Sequence, residues 1–293
     1  MIKDLTELYC KSDDFCKQKV DNLRVKLIEG GKRTRQRSCT LSNAELLTIV
    51  TSFHQSGYRN LKSYYFYLQT YHKKDFPNLV SYSRFIQLMP RVTRLIVEFL
   101  LTFLVNPGSI NFIDSTSIQV CKIKRERRNK VFKGIATKGK TTVGWFFGFK
   151  LHLIINEVGE LISIHFTAGN VDDRKPVDLM TKNIFGKIFA DKGYIGQELF
   201  ERLYSRGLKL VTGIKSNMKN KLVLIEEKIF LRKRSVIETV NDMLKNTCQI
   251  EHSRHRSPIN FLVNLFSGLV AYCLLDKKPS INFSQKQLEL IQN

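Results

Sequence analysis

Apolar residues recur at helical spacing through the first third of the chain. Near its start, Ser42 and Glu45 stand just before an apolar stripe, which is the arrangement of a capping box. Glycine and proline then divide the apolar pattern into short pieces. The sequence therefore predicts an all-α region over residues 1–105. The predicted helical stretches are 40–53, 58–72 and 81–105, with breaks at Gly57 and Pro77.

Short helices with tight breaks and basic residues are typical of helix-turn-helix-like DNA-binding modules. A plain helical bundle that packs on a second domain fits the same pattern. The basic stretch 30–38 (GGKRTRQRS) suits a flexible connector that follows phosphates, and equally a solvated loop.

The pattern changes after a turn signal at 106–109 (NPGS). Short apolar runs now predict strands, and NEVGE at 156–160 predicts a hairpin turn. The order of elements is three strands, helix, strand, helix, strand, helix, which favours an α/β domain with a mixed sheet over 106–293. The predicted strands are 110–116, 144–156, 160–167, 187–190 and 208–214. Helices are predicted after Pro176 and over 196–207, 232–247 and 258–275.

The composition of the chain narrows the class of its binding partner. Hydrophobic residues make up 43% of the 293-residue chain, enough for a real core. The formal net charge of +22 favours a nucleic-acid partner, with a basic solubilising surface or an anionic membrane as the alternatives. The six cysteines have no paired spacing, which indicates reduced thiols in a cytoplasmic protein. The apolar run 259–275 is interrupted by polar residues, so a buried helix is expected and no membrane partner.

Three acidic residues are the candidate catalytic and metal-binding groups. Asp114 and Asp191 each follow a strand-like apolar run, where a carboxylate would be held rigidly with its oxygens free for a hard cation. Glu238 stands in the predicted helix 232–247. Two metal ions about 4 Å apart need carboxylates from distant parts of a chain, which is the pattern of metal-dependent phosphoryl transfer on DNA.

The predicted helix adds cations beside the glutamate. At 100° per residue, Arg234, Glu238 and Lys245 share one face, so a carboxylate would be flanked by two phosphate-binding side chains. By itself the Arg–Glu spacing equally fits an ordinary ion pair on a solvated helix.

A basic segment follows the first predicted strand. Between Cys121 and Thr142 the chain has nine Lys or Arg and one acid, which predicts a long mobile arm that becomes ordered on DNA and contacts phosphates. Trp145 follows it and could stack on an unpaired base, or belong to the core. The candidate DNA-binding residues are Arg234, Lys245, Lys122, Lys124, Arg125, Arg127, Arg128, Lys130, Lys133, Lys138, Lys140 and Trp145.

Other candidate ligands fit less well. Asp172 and Asp173 precede Pro176 and suit a helix cap. Glu226 and Glu227 lack the Arg and Lys spacing of Glu238. His152 is expected to be structural. A zinc site would have only three visible ligands: Cys248, His252 and His255.

These motifs resemble those of bacterial insertion-sequence transposases of the DDE class. The matching residues are IDST around Asp114, DKGY from Asp191, and the Y-(2)-R-(3)-E-(6)-K signature, in which this chain has Leu231 in place of the tyrosine. Several further segments are similar to the insertion-sequence 982 branch, over roughly 110–275.

The resemblance implies a ribonuclease-H-like catalytic fold and Mg²⁺-dependent cleavage and joining at terminal inverted repeats. On this basis we expect two Mg²⁺ ions, replaceable by Mn²⁺, held by the three acids. The implied partners are double-stranded DNA of the element ends and of the target, with a dimer joining two ends in the cytoplasm of a bacterium, at its nucleoid. A nuclease or resolvase of the same fold and an inactive DNA-binding descendant are the alternatives.

Overall fold

The computed structural model describes residues 4–29, 39–214, 223–251 and 255–285, together with 287 and 290. The basic stretch 30–38 and His252 of the zinc alternative lie outside these residues. The chain divides into two compact units. The helical unit comprises Met1–Phe103, Leu244–Ile250 and His255–Leu274, and the sheet unit comprises Leu104–Met243, Glu251–Arg254 and Leu275–Asn293.

The helical unit confirms the all-α prediction for the N-terminal region. Its α-helices are α1 (Leu5–Glu29), α2 (Asn43–Gln55), α3 (Leu61–Tyr71), α4 (Tyr82–Leu88), α5 (Thr93–Leu101) and α10 (Pro258–Cys273), with a 3₁₀ turn at Met89–Val92. Helix α2 begins at the predicted capping box, in which Ser42 Oγ accepts from the Glu45 amide at 3.1 Å and Glu45 Oε2 accepts from the Ser42 amide at 2.7 Å.

Helix α10 packs against α2 and α5 of the helical unit. The sequence pattern grouped this helix with residues 106–293, whereas its contacts place it in the helical unit. The reason is its composition: α10 is apolar on most of its surface and can bury many side chains against other helices. No helix in the described ranges combines the length and the apolar character needed to cross a membrane.

The sheet unit has a mixed sheet with helices. Its strands are β1 (Ile110–Cys121), β2 (Thr137–Thr141), β3 (Gly144–Asn156), β4 (Leu161–Ala168), β5 (Gly186–Ala190) and β6 (Leu208–Thr212). Its α-helices are α6 (Val177–Met180), α7 (Gln197–Tyr204), α8 (Ile225–Lys233) and α9 (Ser235–Asp242). A π-helical turn follows α9 at Met243–Thr247 and belongs, from Leu244 onward, to the helical unit.

The strand order is β2-β3-β1-β5-β6, and β4 also pairs with β3. Strand β1 runs antiparallel to β3 and parallel to β5, which is itself parallel to β6. The predicted hairpin connects β3 to β4. The fold class predicted from the sequence, a mixed-sheet α/β domain with an N-terminal all-α region, is therefore confirmed.

Both faces of the sheet are covered. One face carries Ile113 and Ile188, which pack with apolar residues of α6 and α7. On the other face, the rings of Phe112 and Phe189 pack with their centroids 5.7 Å apart. The ring of Phe189 also packs against that of Phe230 of α8, with a centroid distance of 5.4 Å. This second face is the one that positions the acidic residues, because it is covered by the helices that carry Arg234 and Glu238.

Two predicted elements are different in the structure. The single helix predicted over 232–247 is divided at Arg234, which lies in the turn between α8 and α9. The segment predicted as a long mobile arm contains a 3₁₀ helix (Ile123–Arg128) and strand β2, and is held by the fully buried Phe132. The ring of Phe132 packs edge-on against that of Phe149 of β3, with a centroid distance of 6.1 Å. This contact anchors the basic segment to the sheet.

Candidate active site

The register of the sheet places the two aspartates side by side. Phe112 of β1 is paired with Phe189 of β5 in the parallel ladder. Asp114 and Asp191 each lie two residues further along, so their side chains project from the same face of the sheet on neighbouring strands. The β1–β5 pairing ends at Phe112 and Phe189, while β1 continues along β3 as far as Cys121. Asp114 is therefore inside β1, whereas the sequence predicted it at a strand end.

Asp191 directly follows β5, as predicted, and begins a 3₁₀ turn at Lys192–Tyr194. Its side chain is 58% exposed. Glu238 lies in the first turn of α9, which packs on β1, and its side chain is 56% exposed. Two of the three acids can thus be reached from solvent, while Asp114 lies deeper.

Arg234 connects the two exposed acids. Its Nη2 lies 2.6 Å from Glu238 Oε1 and 3.9 Å from Asp191 Oδ1, and its side chain is only 16% exposed. The helix-face prediction is correct for Arg234 and Glu238. Lys245 lies in the π-helical turn, where the wider winding departs from the 100° step used in the prediction, so its place on that face stays a prediction.

Burial raises the pKa of Asp114 to about 6. The backbone amide of Ser115 and the positive charge of Arg234 act in the opposite direction, and Glu238 and Asp191 add to the increase. These effects require Asp114 to lie within electrostatic reach of all three residues. The structure thus brings Asp191 and Glu238 to one guanidinium group, and the pKa of Asp114 responds to the charges of all three residues.

Asn241 is a site residue that the sequence analysis missed. It lies three residues after Glu238 on α9 and is 7% exposed. Its Nδ2 donates to Asp114 Oδ2 at 3.1 Å, while its buried Oδ1 has no hydrogen-bond partner among the residues that the structure describes. The spacing to Glu238 is the signal that could have found it, because residues three apart on a helix face the same side.

A polar cluster supports the other face of β1 beside Asp114. Asp173 Oδ1 accepts from Ser115 Oγ at 2.9 Å and from Lys150 Nζ at 2.9 Å. Lys150 also donates to the carbonyl of Val171 at 3.0 Å, which ties β3 to the loop after β4. The cluster fixes the strand that carries Asp114.

The helix-cap interpretation of Asp172 and Asp173 is wrong. Within the part of the chain that the structure describes, no side chain caps helix α6, whose N-cap residue is Pro176. Asp172 instead pairs with Arg174 at 2.7 Å, because the tight turn brings the guanidinium back over the carboxylate. Asp173 faces β1 and β3 as described above.

The remaining alternatives have structural roles. Glu226 pairs with Lys187 at 3.1 Å, and the buried Glu227 pairs with Lys209 at 2.6 Å, which ties α8 to β5 and β6. His152 is buried on β3, beside β1, with Nε2 at 2.8 Å from Thr167 Oγ1.

The predicted basic residues of the segment after β1 are all exposed. They are Lys122, Lys124, Arg125, Arg127, Arg128, Lys130, Lys133, Lys138 and Lys140. Trp145 is 55% exposed at the start of β3, so its interpretation as a core residue is wrong. Lys138 Nζ and Lys140 Nζ lie 5.0 Å and 5.7 Å from the centroid of its ring. The β2–β3 hairpin therefore presents an exposed indole with two cations over its ring.

The donor set suits a hard divalent cation, since all three acids offer oxygen. The unpartnered Oδ1 of Asn241 adds an oxygen acceptor next to Asp114. Within the described ranges, however, no three His, Cys, Asp or Glu side chains are gathered closely enough to hold a metal ion. The chemistry of the residues fits such an ion, while the guanidinium of Arg234 is in contact with two of the carboxylates that would hold it.

Comparison with known proteins decides the family. The family model described as "Transposase DDE domain" matches residues 105–258, more than half of the chain. The chain belongs to the transposase DDE domain family. This is a family of DNA-cleaving enzymes, and the match spans Asp114, Asp191 and Glu238.

A solved structure of similar fold is the cryo-EM structure of a piggyBac transposase synaptic complex with hairpin DNA. The TM-score is 0.54 at 10% sequence identity, with 99% of this chain and 77% of that chain covered. At this identity the similarity concerns the fold alone. A comparison with curated proteins gives no match.

Proposed function

We propose that this DDE-family protein is the transposase of a bacterial insertion sequence of the 982 branch, which cleaves DNA at terminal inverted repeats and joins the ends to a target. The observation that carries the proposal is the contact of Arg234 with both Asp191 and Glu238, on the face of the sheet that also bears Asp114. The sheet has three antiparallel pairings among β1 to β4 and two parallel pairings from β1 through β5 to β6, which suits a ribonuclease-H-like catalytic domain.

Asp114, Asp191 and Glu238 would hold two Mg²⁺ ions, with Asp114 as the shared ligand. Such ions activate the attacking oxygen and stabilise the leaving oxygen of an in-line phosphoryl transfer. Asn241 orients Asp114 through a hydrogen bond from its Nδ2. The cluster of Asp173, Ser115 and Lys150 holds β1 from the opposite face of the sheet. Arg234 supplies a positive charge for a DNA phosphate, since a guanidinium binds phosphate through two parallel hydrogen bonds.

The proposed partner is duplex DNA, bound by the exposed cations of 122–140 and by the helical unit, for which we retain the helix-turn-helix-like interpretation. A net charge of +22 supports a polyanionic partner. The piggyBac structure contains hairpin DNA, which is consistent with a DNA partner for this fold. A dimer that joins two element ends is part of the same proposal.

The test is incubation with Mg²⁺ or Mn²⁺ and DNA that carries the inverted repeats flanking the gene. Specific nicking at a 3′ end followed by joining to target DNA is the expected result. Cleavage without joining would favour a nuclease or resolvase, and binding without cleavage would favour an inactive DNA-binding descendant. Either outcome would overturn the transposase proposal.

Asp191→Asn is the matching variant. Loss of one metal ligand removes several kcal/mol of transition-state stabilisation, so we expect cleavage to fall roughly 10³-fold or more while DNA binding is retained. Glu226→Gln on α8 is the control, because its carboxylate pairs with Lys187 away from the acidic site. Cleavage by Asp191→Asn at the wild-type rate would remove Asp191 from the catalytic set.

A further inference from the structure

The guanidinium group of Arg234 forms ion pairs with two acidic side chains at once. Its side chain is largely buried and leaves the turn between α8 and α9 toward Glu238, at 2.6 Å, and Asp191, at 3.9 Å. Both carboxylates are more than half exposed. An ordinary surface pair of Arg and Glu would not include a third residue from the turn that follows a strand of the sheet.

The contacts of Arg234 are made with the oxygens that a divalent ion would use. A guanidinium stays charged at every accessible pH and cannot give up its proton to make room. It therefore competes with a metal ion for Glu238 and Asp191 both by charge and by position.

Arg234 also has a second partner class available. Guanidinium groups form parallel hydrogen bonds with phosphate as readily as with carboxylate. Once a divalent ion holds Asp191 and Glu238, the guanidinium loses its carboxylate partners and a DNA phosphate at the site can replace them. Binding of the ion and binding of the phosphate then favour each other, and the coupling must be equal in both directions.

We propose that Arg234 is an internal counter-ion of the acidic site: without DNA it occupies Asp191 and Glu238 and weakens divalent-ion binding, and it transfers to a DNA phosphate when the ion binds. This inference rests on the proposed function of the three acids as metal ligands. It assigns to Arg234 a coupling role beyond phosphate contact, which makes the complete site dependent on DNA.

The experiment measures Mn²⁺ binding to the full-length protein by calorimetry or electron paramagnetic resonance, with and without duplex DNA carrying the inverted repeat. Arg234→Gln removes the competing charge. We expect it to bind Mn²⁺ roughly 10-fold more tightly than wild type without DNA, within the usual range of coupling between sites. DNA should strengthen Mn²⁺ binding by wild type and have much less effect in Arg234→Gln.

Two further variants separate the inference from simpler explanations. Arg232→Gln removes the same charge from the exposed surface of α8 and should change Mn²⁺ affinity by less than about 2-fold, because exposed charges are screened by salt. Arg234→Lys keeps the charge without the planar fork and should fall between wild type and Arg234→Gln. Circular dichroism establishes that each variant is folded.

Asp191→Asn distinguishes failure of this inference from failure of the proposed function. If Asp191→Asn weakens Mn²⁺ binding and Arg234→Gln does not tighten it, the metal site stands and the counter-ion role is overturned. If Asp191→Asn leaves Mn²⁺ binding unchanged, the acids are not metal ligands, and both the inference and the proposed function fail. Tighter binding in Arg234→Lys than in Arg234→Gln would also overturn the counter-ion role.

Discussion

Asp114 depends on its neighbours more than the other two acids do. It lies inside β1, where burial opposes its charged form, and Asn241 is its side-chain hydrogen-bond partner from α9. A buried carboxylate with a fixed donor is held in one orientation, which is what a shared metal ligand requires. The position of Asn241 thus has a direct consequence for metal affinity.

We expect Asn241→Ala to weaken Mn²⁺ binding and slow cleavage by about 10-fold to 100-fold, the usual effect of removing a partner that orients a metal ligand. DNA binding should stay unchanged, because Asn241 is buried and faces Asp114. Thr239→Ala on the exposed side of α9 is the control. Metal titrations of both variants provide the measurement, and a wild-type Mn²⁺ affinity in Asn241→Ala would exclude the orienting role.

Individual elements show what the sequence could and could not predict. Strand β3 was predicted with its observed bounds because it is a long apolar run. Strand β2 (TKGKT) was missed, since its only buried residue is Gly139 and no apolar alternation exists to detect. A side chain at Gly139 would collide with the ring of Phe146 and with the backbone at Gly169, so packing against β3 dictates glycine there.

The sequence also did not predict the turn at Arg234 that separates α8 from α9. The stretch 225–247 contains neither glycine nor proline, so local pattern predicts an uninterrupted helix. The turn is nevertheless what lets Arg234 reach a strand-end residue. The candidate acids could be proposed from the sequence, because this chemistry requires carboxylates and the three residues stand in recognisable motifs. Asn241 and the Asp173 cluster could not, because they depend on which faces of the helices and strands meet.

The β2–β3 hairpin carries a prediction of its own. Trp145 is the chain's only tryptophan, so tryptophan fluorescence reports on this hairpin alone. We expect DNA with unpaired bases next to the cleavage site to quench it, because an exposed indole flanked by Lys138 and Lys140 suits base stacking beside phosphates. Fully paired DNA of the same length should quench it much less.

Fluorescence anisotropy of labelled DNA measures how much Trp145 contributes to the binding free energy. Trp145→Ala should weaken binding of the unpaired substrate by 1–3 kcal/mol, roughly 5-fold to 150-fold, with a smaller effect for Trp145→Phe. Lys138→Gln with Lys140→Gln should instead lower the salt slope of binding by about 2, one per lost phosphate contact. Equal quenching by paired and unpaired DNA would argue against a stacking role.

At the scale of the whole molecule, the helical unit is assembled from distant parts of the chain. Helix α10 follows the sheet unit in sequence and packs with α2 and α5, which precede it. Its apolar surface made burial predictable, but not the helices against which it is buried. Gly268 of α10 lies against Ile250 and His54, so the close approach depends on the absence of a side chain.

His54 makes this assembly sensitive to acid. It is fully buried, and burial lowers its pKa from 6.5 to about 4, while its Nδ1 contacts the carbonyl of Cys248. The folded state thus holds His54 neutral while the unfolded chain takes up a proton below pH 6.5. The contribution of the neutral ring is present above pH 6.5 and is lost as the pH falls towards 4.

Wild type should therefore lose about 2 kcal/mol of unfolding free energy from this residue between pH 7.5 and pH 5, and about 3 kcal/mol by pH 4. His54→Gln cannot titrate, so its stability should fall by that much less over the same interval, although it is less stable than wild type at pH 7.5. Ile49→Val, a buried apolar change in the same helix, should lower stability equally at both pH values. Urea unfolding followed by circular dichroism at pH 7.5 and pH 5 measures these differences. An identical pH dependence in wild type and His54→Gln would show that His54 is not the acid-sensitive residue of the helical unit.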